Sequence, residues 1–153
     1  MTRVVVDTDV VSFVFKNHPN GTLYEADLAG RTLVLSFMTL AELDRWAIQS
    51  KWGPARCEWL RLYLQRFVVL PYSRRLCTMW AEVTVAAQAR GCRVECADAW
   101  IAATALRHDV PLVTGSPCRH QGSLPTVSDI RTNGLLRRSL FSPHCPQSTY
   151  RRG

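Results

Sequence analysis

Three consecutive valines at residues 4–6 are followed at once by Asp7, Thr8 and Asp9, close to the start of the chain. An uninterrupted apolar run of this kind is typical of a strand that is buried on both faces, as the strands of parallel sheets are. We therefore predict a parallel-sheet strand here, with two carboxylates at its carboxyl end.

The aspartates of this motif have two interpretations. Asp and Thr both serve at helix N-termini, so the motif can cap a helix that begins near Val10. Alternatively, the carboxylates belong to a ligand site, because open α/β sheets bind ligands beyond the carboxyl ends of their strands. The motif alone leaves both interpretations open.

Strand-like apolar runs alternate with helical patterns along the rest of the chain. Further strands are predicted at residues 31–37, 67–73 (ended by Pro71), 110–116 and 124–130. Helices are predicted at residues 10–17, 21–30, 38–51, 54–67, 74–90 and 97–109. This alternation predicts an α/β fold with a parallel sheet.

Composition restricts the class of protein further. A chain of 153 residues with 47% hydrophobic and 20% charged residues is expected to form one globular domain. The sequence shows neither a signal peptide nor an apolar stretch of membrane-spanning length, which predicts a cytoplasmic protein. The six cysteines form no CxxC pair, so incidental or buried thiols are favoured over a zinc site.

The formal net charge of +7 points to a polyanionic or acidic partner. Almost all of the basic residues are arginines, which suit bidentate contacts with phosphate. Much of the excess lies in the last residues, at Arg137, Arg138, Arg151 and Arg152. The charge alone therefore does not establish nucleic-acid binding, and residues 133–153 are expected to form a basic, weakly ordered tail.

Two further acids follow the pattern of Asp7. Glu42 comes soon after the second predicted strand, and Asp98 lies in the first turn of a predicted helix. Each alone could be a solvated or dipole-complementing helix residue. Together, three carboxylates in apolar surroundings repel one another unless a cation lies between them. Mg²⁺ or Mn²⁺ is the natural choice, because hard divalent ions prefer oxygen ligands.

Three stretches, "VVVDTDVVS", "SFMTLAEL" and "CADAWIAATALRHDVPLVT", together with their spacing, resemble the PIN-domain ribonucleases, especially the VapC-type toxins of toxin–antitoxin pairs. The resemblance covers residues 3 to about 130. It implies a three-layer α/β/α sandwich with a central parallel sheet, formed by a nuclease domain over residues 1–132.

Carried over by position, Asp7, Glu42 and Asp98 match the acids that hold the catalytic metal in that family. Asp9 stands where the family commonly has Asn. Ser116 stands where many relatives have a fourth Asp or Asn, and it could bind the metal through a water. His120 lies near a position where relatives often carry histidine, but Gln121 follows it here in place of the usual phenylalanine, so we assign His120 no role.

The resemblance implies a Mg²⁺- or Mn²⁺-dependent endoribonuclease that cuts tRNA or rRNA. It also implies a homodimer that a small antitoxin silences by covering or entering the acidic pocket. Two alternatives remain: a catalytically degenerate PIN-like module that binds RNA or protein, and a phosphatase-like metal enzyme for small substrates. The three retained acids argue against the first, and the lack of a cap segment argues against the second.

Overall fold

A parallel four-stranded sheet forms the centre of the molecule. The computed structural model describes residues 2–91 and 93–115. Within them, the sheet has the strand order β3-β2-β1-β4, and every neighbouring pair is parallel. The strands are β1 (Arg3–Val6), β2 (Thr32–Ser36), β3 (Val68–Leu70) and β4 (Leu112–Val113).

Helices connect the strands, as the sequence alternation predicts. They are α1 (Thr8–Phe15), α2 (Glu25–Leu28), α3 (Phe37–Gln49), α4 (Pro54–Leu64), α5 (Arg74–Ala89) and α6 (Cys96–His108), with a 3₁₀ helix at Pro19–Tyr24. Pro54 begins α4, where its missing N–H costs nothing. Gly91 follows α5 with φ of +71°, a conformation that glycine adopts without strain.

Two apolar cores, one on each face of the sheet, account for the layered architecture. Val4 and Val6 of β1 pack with the apolar sides of α1, α3 and α4. Val5 points to the opposite face and packs with Ile101 and Ala105 of α6, while α5 packs outside α6. Because alternate residues of a strand face opposite sides, β1 is buried on both faces. The predicted three-layer α/β/α fold is confirmed.

The region before β2 differs from the prediction. A single helix was expected at residues 21–30, but a 3₁₀ helix and the four-residue α2 are found instead. The His18 side chain caps the 3₁₀ helix, and Gly21 is buried against the backbone of Phe13. A Cβ at position 21 would lie 3.2 Å from the Phe13 carbonyl oxygen, so the chain packs directly on α1 at this glycine.

Several predicted features lie outside the described residues. These are the strand at 124–130, the tail at 133–153, Ser116 and His120. Among the described cysteines, Cys57, Cys77 and Cys96 are free thiols, and none of them is buried. None of the helices in the described ranges is both long and apolar enough to cross a lipid bilayer.

Candidate active site

Asp7 is the buried carboxylate at the carboxyl end of β1. It is 7% exposed, and its backbone amide bonds to the carbonyl of Val113 at the neighbouring end of β4. The Thr8 N–H donates to Asp7 Oδ1 at 2.6 Å, and the Thr114 hydroxyl donates to Oδ2 at 2.7 Å. Two different strand ends therefore hold this carboxylate in place.

Burial dominates the acidity of Asp7. Loss of hydration raises its pKa from 3.8 to about 6. The hydrogen bonds from Thr114 and Thr8 stabilise the ionised form and oppose this rise, whereas the charges of Asp9 and Asp98 add to it. Ionising the Asp7 carboxyl therefore requires more free energy in the folded protein than in water.

Glu42 enters the same region from α3, the helix that follows β2. Its side chain is 17% exposed, and Glu42 Oε2 accepts a hydrogen bond from the Thr8 hydroxyl at 2.6 Å. Arg45, one turn further along α3 and largely exposed, lies with Nη2 3.8 Å from Glu42 Oε1. Thr8 therefore links the first two acids, donating its N–H to Asp7 and its hydroxyl to Glu42.

Asp98 completes the group from the first turn of α6. Asp98 is exposed to solvent as a residue, yet partial desolvation of its carboxyl raises its pKa, and the charges of Glu95, Glu42 and Asp9 raise it further. Asp98 in turn acts on Asp7. The structure thus brings Asp7, Glu42 and Asp98 within electrostatic reach of one another at the carboxyl edge of the sheet, with the exposed Asp9 beside them.

The donors at this edge suit a hard divalent cation. Every charged acceptor is a carboxylate, and threonine hydroxyls supply the remaining oxygens. Burial is the main cause of the raised pKa values of Asp7 and Asp98, and the neighbouring negative charges, which a cation would offset, raise them further. Even so, no three His, Cys, Asp or Glu side chains within residues 2–91 and 93–115 converge closely enough to hold a metal ion. Asp7 and Glu42 are hydrogen-bonded to threonines instead.

Sequence reasoning missed two threonines of this site. Thr8 was considered only as a cap, and Thr114 was not singled out. Thr114 stands in "LVTGS", one residue beyond β4, and the pairing of Val6 with Val113 brings it level with Asp7. A hydroxyl near the carboxyl end of a predicted strand, comparable with the carboxylate after β1, was the available signal.

Known proteins share both the sequence pattern and the fold. The family model of the PIN domain matches residues 4–115, which is most of the chain. No curated protein sequence matches the chain closely enough to count as a relative.

Solved structures with the same architecture come from bacterial complexes. VapBC-1 from nontypeable Haemophilus influenzae is 26% identical, with a TM-score of 0.64, over 75% of this chain and 87% of that chain. FitAcB from Neisseria gonorrhoeae is 25% identical, with a TM-score of 0.62, over 75% and 88%. VapBC2 from Rickettsia felis is 21% identical, with a TM-score of 0.66, over 75% and 89%. The resemblance seen in the sequence is confirmed, and the chain belongs to the PIN-domain family.

Proposed function

We propose that this PIN-domain protein is a Mg²⁺- or Mn²⁺-dependent endoribonuclease and the toxin of a toxin–antitoxin pair. The observation that carries the proposal is the buried, crowded Asp7. Burying a carboxylate among other carboxylates destabilises a protein unless a bound cation compensates. Four acids at one edge of the sheet, with hydroxyl donors that hold two of them, have a clearer role in binding a cation than in stabilising the fold.

Asp7, Glu42 and Asp98 would hold the cation. When bound, it would supply charge neutralisation at the phosphodiester and lower the pKa of a nucleophilic water. Thr8 fixes the orientation of Asp7 and Glu42 through the two hydrogen bonds at 2.6 Å. Thr114 holds the second oxygen of Asp7. These contacts reduce the reorganisation that the carboxylates must undergo around the cation and the scissile phosphate.

Arg45 is a positively charged side chain beside this site. Of the ion pairs among the described residues, the one between Arg45 and Glu42 involves a carboxylate of the site. Its guanidinium is 66% exposed and lies 3.8 Å from Glu42, a separation that gives only a weak ion pair. It is therefore available for a phosphate oxygen of the substrate, which an arginine can bind in a bidentate manner. In this proposal Arg45 positions the RNA backbone and the carboxylates carry the chemistry.

The similar structures indicate which partners to expect. Those from Haemophilus influenzae and Rickettsia felis are named as VapBC, and another is described as a toxin–antitoxin complex from Klebsiella pneumoniae. These names support an antitoxin partner for this chain, which in our proposal covers the carboxylate pocket. The proposal also includes a cytoplasmic homodimer as the active form, which the family resemblance implies. Residues 1–132 would be the nuclease domain and residues 133–153 a basic tail that adds contacts to RNA or antitoxin.

The direct test is incubation of the purified protein with defined tRNA and rRNA fragments in Mg²⁺, in Mn²⁺ and in chelator. We expect cleavage with either metal, none in chelator, and none by Asp98→Asn in any condition. Cleavage in chelator, or full cleavage by Asp98→Asn, contradicts the proposed site. RNA binding without cleavage in every condition identifies a degenerate binding module instead.

A further inference from the structure

An exposed aromatic and basic surface follows β3, at the same carboxyl edge of the sheet as the acids. We call it the β3 rim and define it as Tyr72, Arg74 and Arg75, all of which are exposed. Tyr72 is 72% exposed, the largest exposure of any aromatic side chain among the described large hydrophobics. The proposed nuclease activity does not yet give these residues a role.

Tyr72 contacts the outermost of a series of packed aromatic rings. Its ring meets Phe37 edge to face, with centroids 6.5 Å apart and planes at 70°. Phe37 meets Trp100 at 5.3 Å, and Trp100 stacks on Trp80 at 5.2 Å. The ring contact that Tyr72 makes with the residues the structure describes is this edge contact, which leaves most of its ring surface open to solvent.

The sheet order places the rim within reach of the acids. Ser36, the last residue of β2, pairs with Leu70, the last residue of β3, so both strands end at one level. Neighbouring strands lie about 4.8 Å apart, so the end of β3 is roughly 10 Å from the end of β1. A polynucleotide bound over Asp7 can therefore run across the end of β2 and reach Tyr72.

The two arginines favour a phosphate partner. They occupy the first turn of the 16-residue α5, where the helix dipole disfavours positive side chains. Neither forms an ion pair with another described residue, since the ion pairs found there involve Arg45 and Arg61. Backbone N–H groups at a helix N-terminus also attract phosphate. The local charge arrangement is unfavourable for the isolated protein and favourable once an anion binds.

We propose that the β3 rim is a substrate subsite for single-stranded RNA, in which one nucleobase stacks on Tyr72 while Arg74 and Arg75 bind the adjacent phosphates. The inference rests on the proposed function, because the RNA is the substrate of the same edge. It goes beyond that function by assigning the stacking of one nucleobase to Tyr72, which lies outside the proposed cation site.

The test measures binding separately from cleavage. A short single-stranded RNA carries the fluorescent base 2-aminopurine at each position in turn, and its anisotropy and fluorescence are recorded with the full-length protein in chelator. Stacking quenches 2-aminopurine, so one position is expected to be quenched by the wild type and not by Tyr72→Leu. The leucine variant is expected to bind about tenfold more weakly, and Tyr72→Trp to restore both signals.

Matched variants separate stacking from charge and from general damage. Trp59→Leu removes the other well-exposed aromatic ring, on α4, and is expected to leave quenching unchanged. Arg74→Gln with Arg75→Gln is expected to make the slope of log affinity against log salt concentration shallower, by about 0.7 for each phosphate that the variant no longer binds. Thermal stability of this double variant is expected to stay level or rise, because two charges opposing the helix dipole are gone.

Two results of the binding and assembly measurements overturn the subsite, in addition to the kinetic result given below. One is wild-type binding and quenching by Tyr72→Leu. The other is a change in oligomeric state of Tyr72→Leu with unchanged RNA binding, which identifies the rim as a protein interface. Failure of the nuclease proposal is distinguishable: RNA that is held through Tyr72 but never cleaved in Mg²⁺ contradicts the nuclease and supports the subsite. Cleavage with an unaltered KM in Tyr72→Leu supports the nuclease and contradicts the subsite.

Discussion

Asp7 confirms the capping interpretation of the opening motif, while the ligand-site interpretation is the one that we propose in addition. It is the N-cap of α1, and its side chain accepts from the Thr8 N–H. A helix cap, however, requires neither near-complete burial nor a hydroxyl donor from the end of another strand. Capping alone does not account for the hydrogen bond from Thr114 or for the charges of Asp9 and Asp98 nearby, and these features support the proposed cation site.

The raised pKa of Asp7 predicts how stability depends on pH in chelator. Since the folded-state pKa, about 6, lies above the ordinary 3.8, the folded protein favours the protonated form. This contribution to stability is present below pH 3.8 and is lost as the pH rises through about 6, amounting to about 3 kcal/mol. Thermal denaturation at about pH 7.5, well above that pKa, should therefore show Asp7→Asn to be more stable than the wild type.

The same comparison at low pH is the control. Near pH 4, roughly two units below the folded-state pKa, the wild-type carboxyl is protonated and the two proteins should denature at similar temperatures. A variant that is equally stable to the wild type at both pH values would show that Asp7 is not a buried carboxylate whose ionisation destabilises the fold.

Thr114 is expected to set the acid limit of activity. Its hydroxyl lowers the pKa of Asp7, so Thr114→Val should raise that pKa by about one pH unit. The ionised form then appears at higher pH, and the acid limb of the RNA-cleavage profile should move upward by a similar amount. Thr114→Ser keeps the donor and should restore the wild-type profile. An unshifted limb in the valine variant contradicts the role of this hydrogen bond.

At the scale of elements, periodicity predicted the helices and strands well where one pattern dominates. The valine run of β1 and the apolar stripe of α3 each specify their element locally. The 3₁₀ helix at Pro19–Tyr24 depends on burial of Gly21 against α1, a contact between elements that periodicity does not contain.

The same distinction applies to the site. Asp7, Glu42 and Asp98 were predictable because each stands near a strand end or a helix start. Thr114 and Tyr72 acquire their positions from strand register, through the pairings of Val6 with Val113 and of Ser36 with Leu70. Register between distant strands is a property of the folded sheet, so the sequence shows which residues follow β4 and β3 but not which residues of β1 and β2 they lie beside.

Gly115, two residues beyond the end of β4, packs closely against Tyr24, Phe13 and Asp9. A Cβ at this position would lie 3.1 Å from the Tyr24 hydroxyl, 3.3 Å from the Phe13 ring and 3.6 Å from Asp9 Cβ. Gly115→Ala should therefore lower the free energy of unfolding by roughly 1–2 kcal/mol, measured by denaturant titration.

A double variant tests the cause of that destabilisation. Tyr24→Phe removes the closest contacting atom, so Tyr24→Phe with Gly115→Ala should be less destabilised than the sum of the two single changes. Strict additivity, or unchanged stability in Gly115→Ala alone, would show that the packing around Gly115 is looser than the distances indicate.

The net charge of the whole chain and the local charge at the carboxyl edge of the sheet have opposite signs. The chain carries a net charge of +7, yet its sheet edge collects Asp7, Asp9, Glu42 and Asp98. A positive molecule attracts RNA at long range, whereas an acidic pocket repels phosphate at short range unless a cation is present. The distribution is therefore coherent for a protein that binds a polyanion and acts on it with a divalent ion.

Asp7 and Asp9 are neighbours in the sequence, yet the proposed cation site gives them different roles. Asp7 is buried and hydrogen-bonded at the strand end, while Asp9 is exposed and contributes mainly a neighbouring negative charge. Asp7→Asn should remove a cation ligand and abolish cleavage. Asp9→Asn should keep most activity, because the loss of its charge lowers the pKa of both Asp7 and Asp98.

The deciding measurement is cleavage of one RNA substrate by the wild type, Asp7→Asn and Asp9→Asn, side by side over a series of Mg²⁺ concentrations. We expect no cleavage by Asp7→Asn at any concentration, and cleavage close to the wild-type rate by Asp9→Asn. Equal loss of activity in both variants, or loss only in Asp9→Asn, would contradict the assignment of Asp7 as the central ligand of a metal-dependent nuclease.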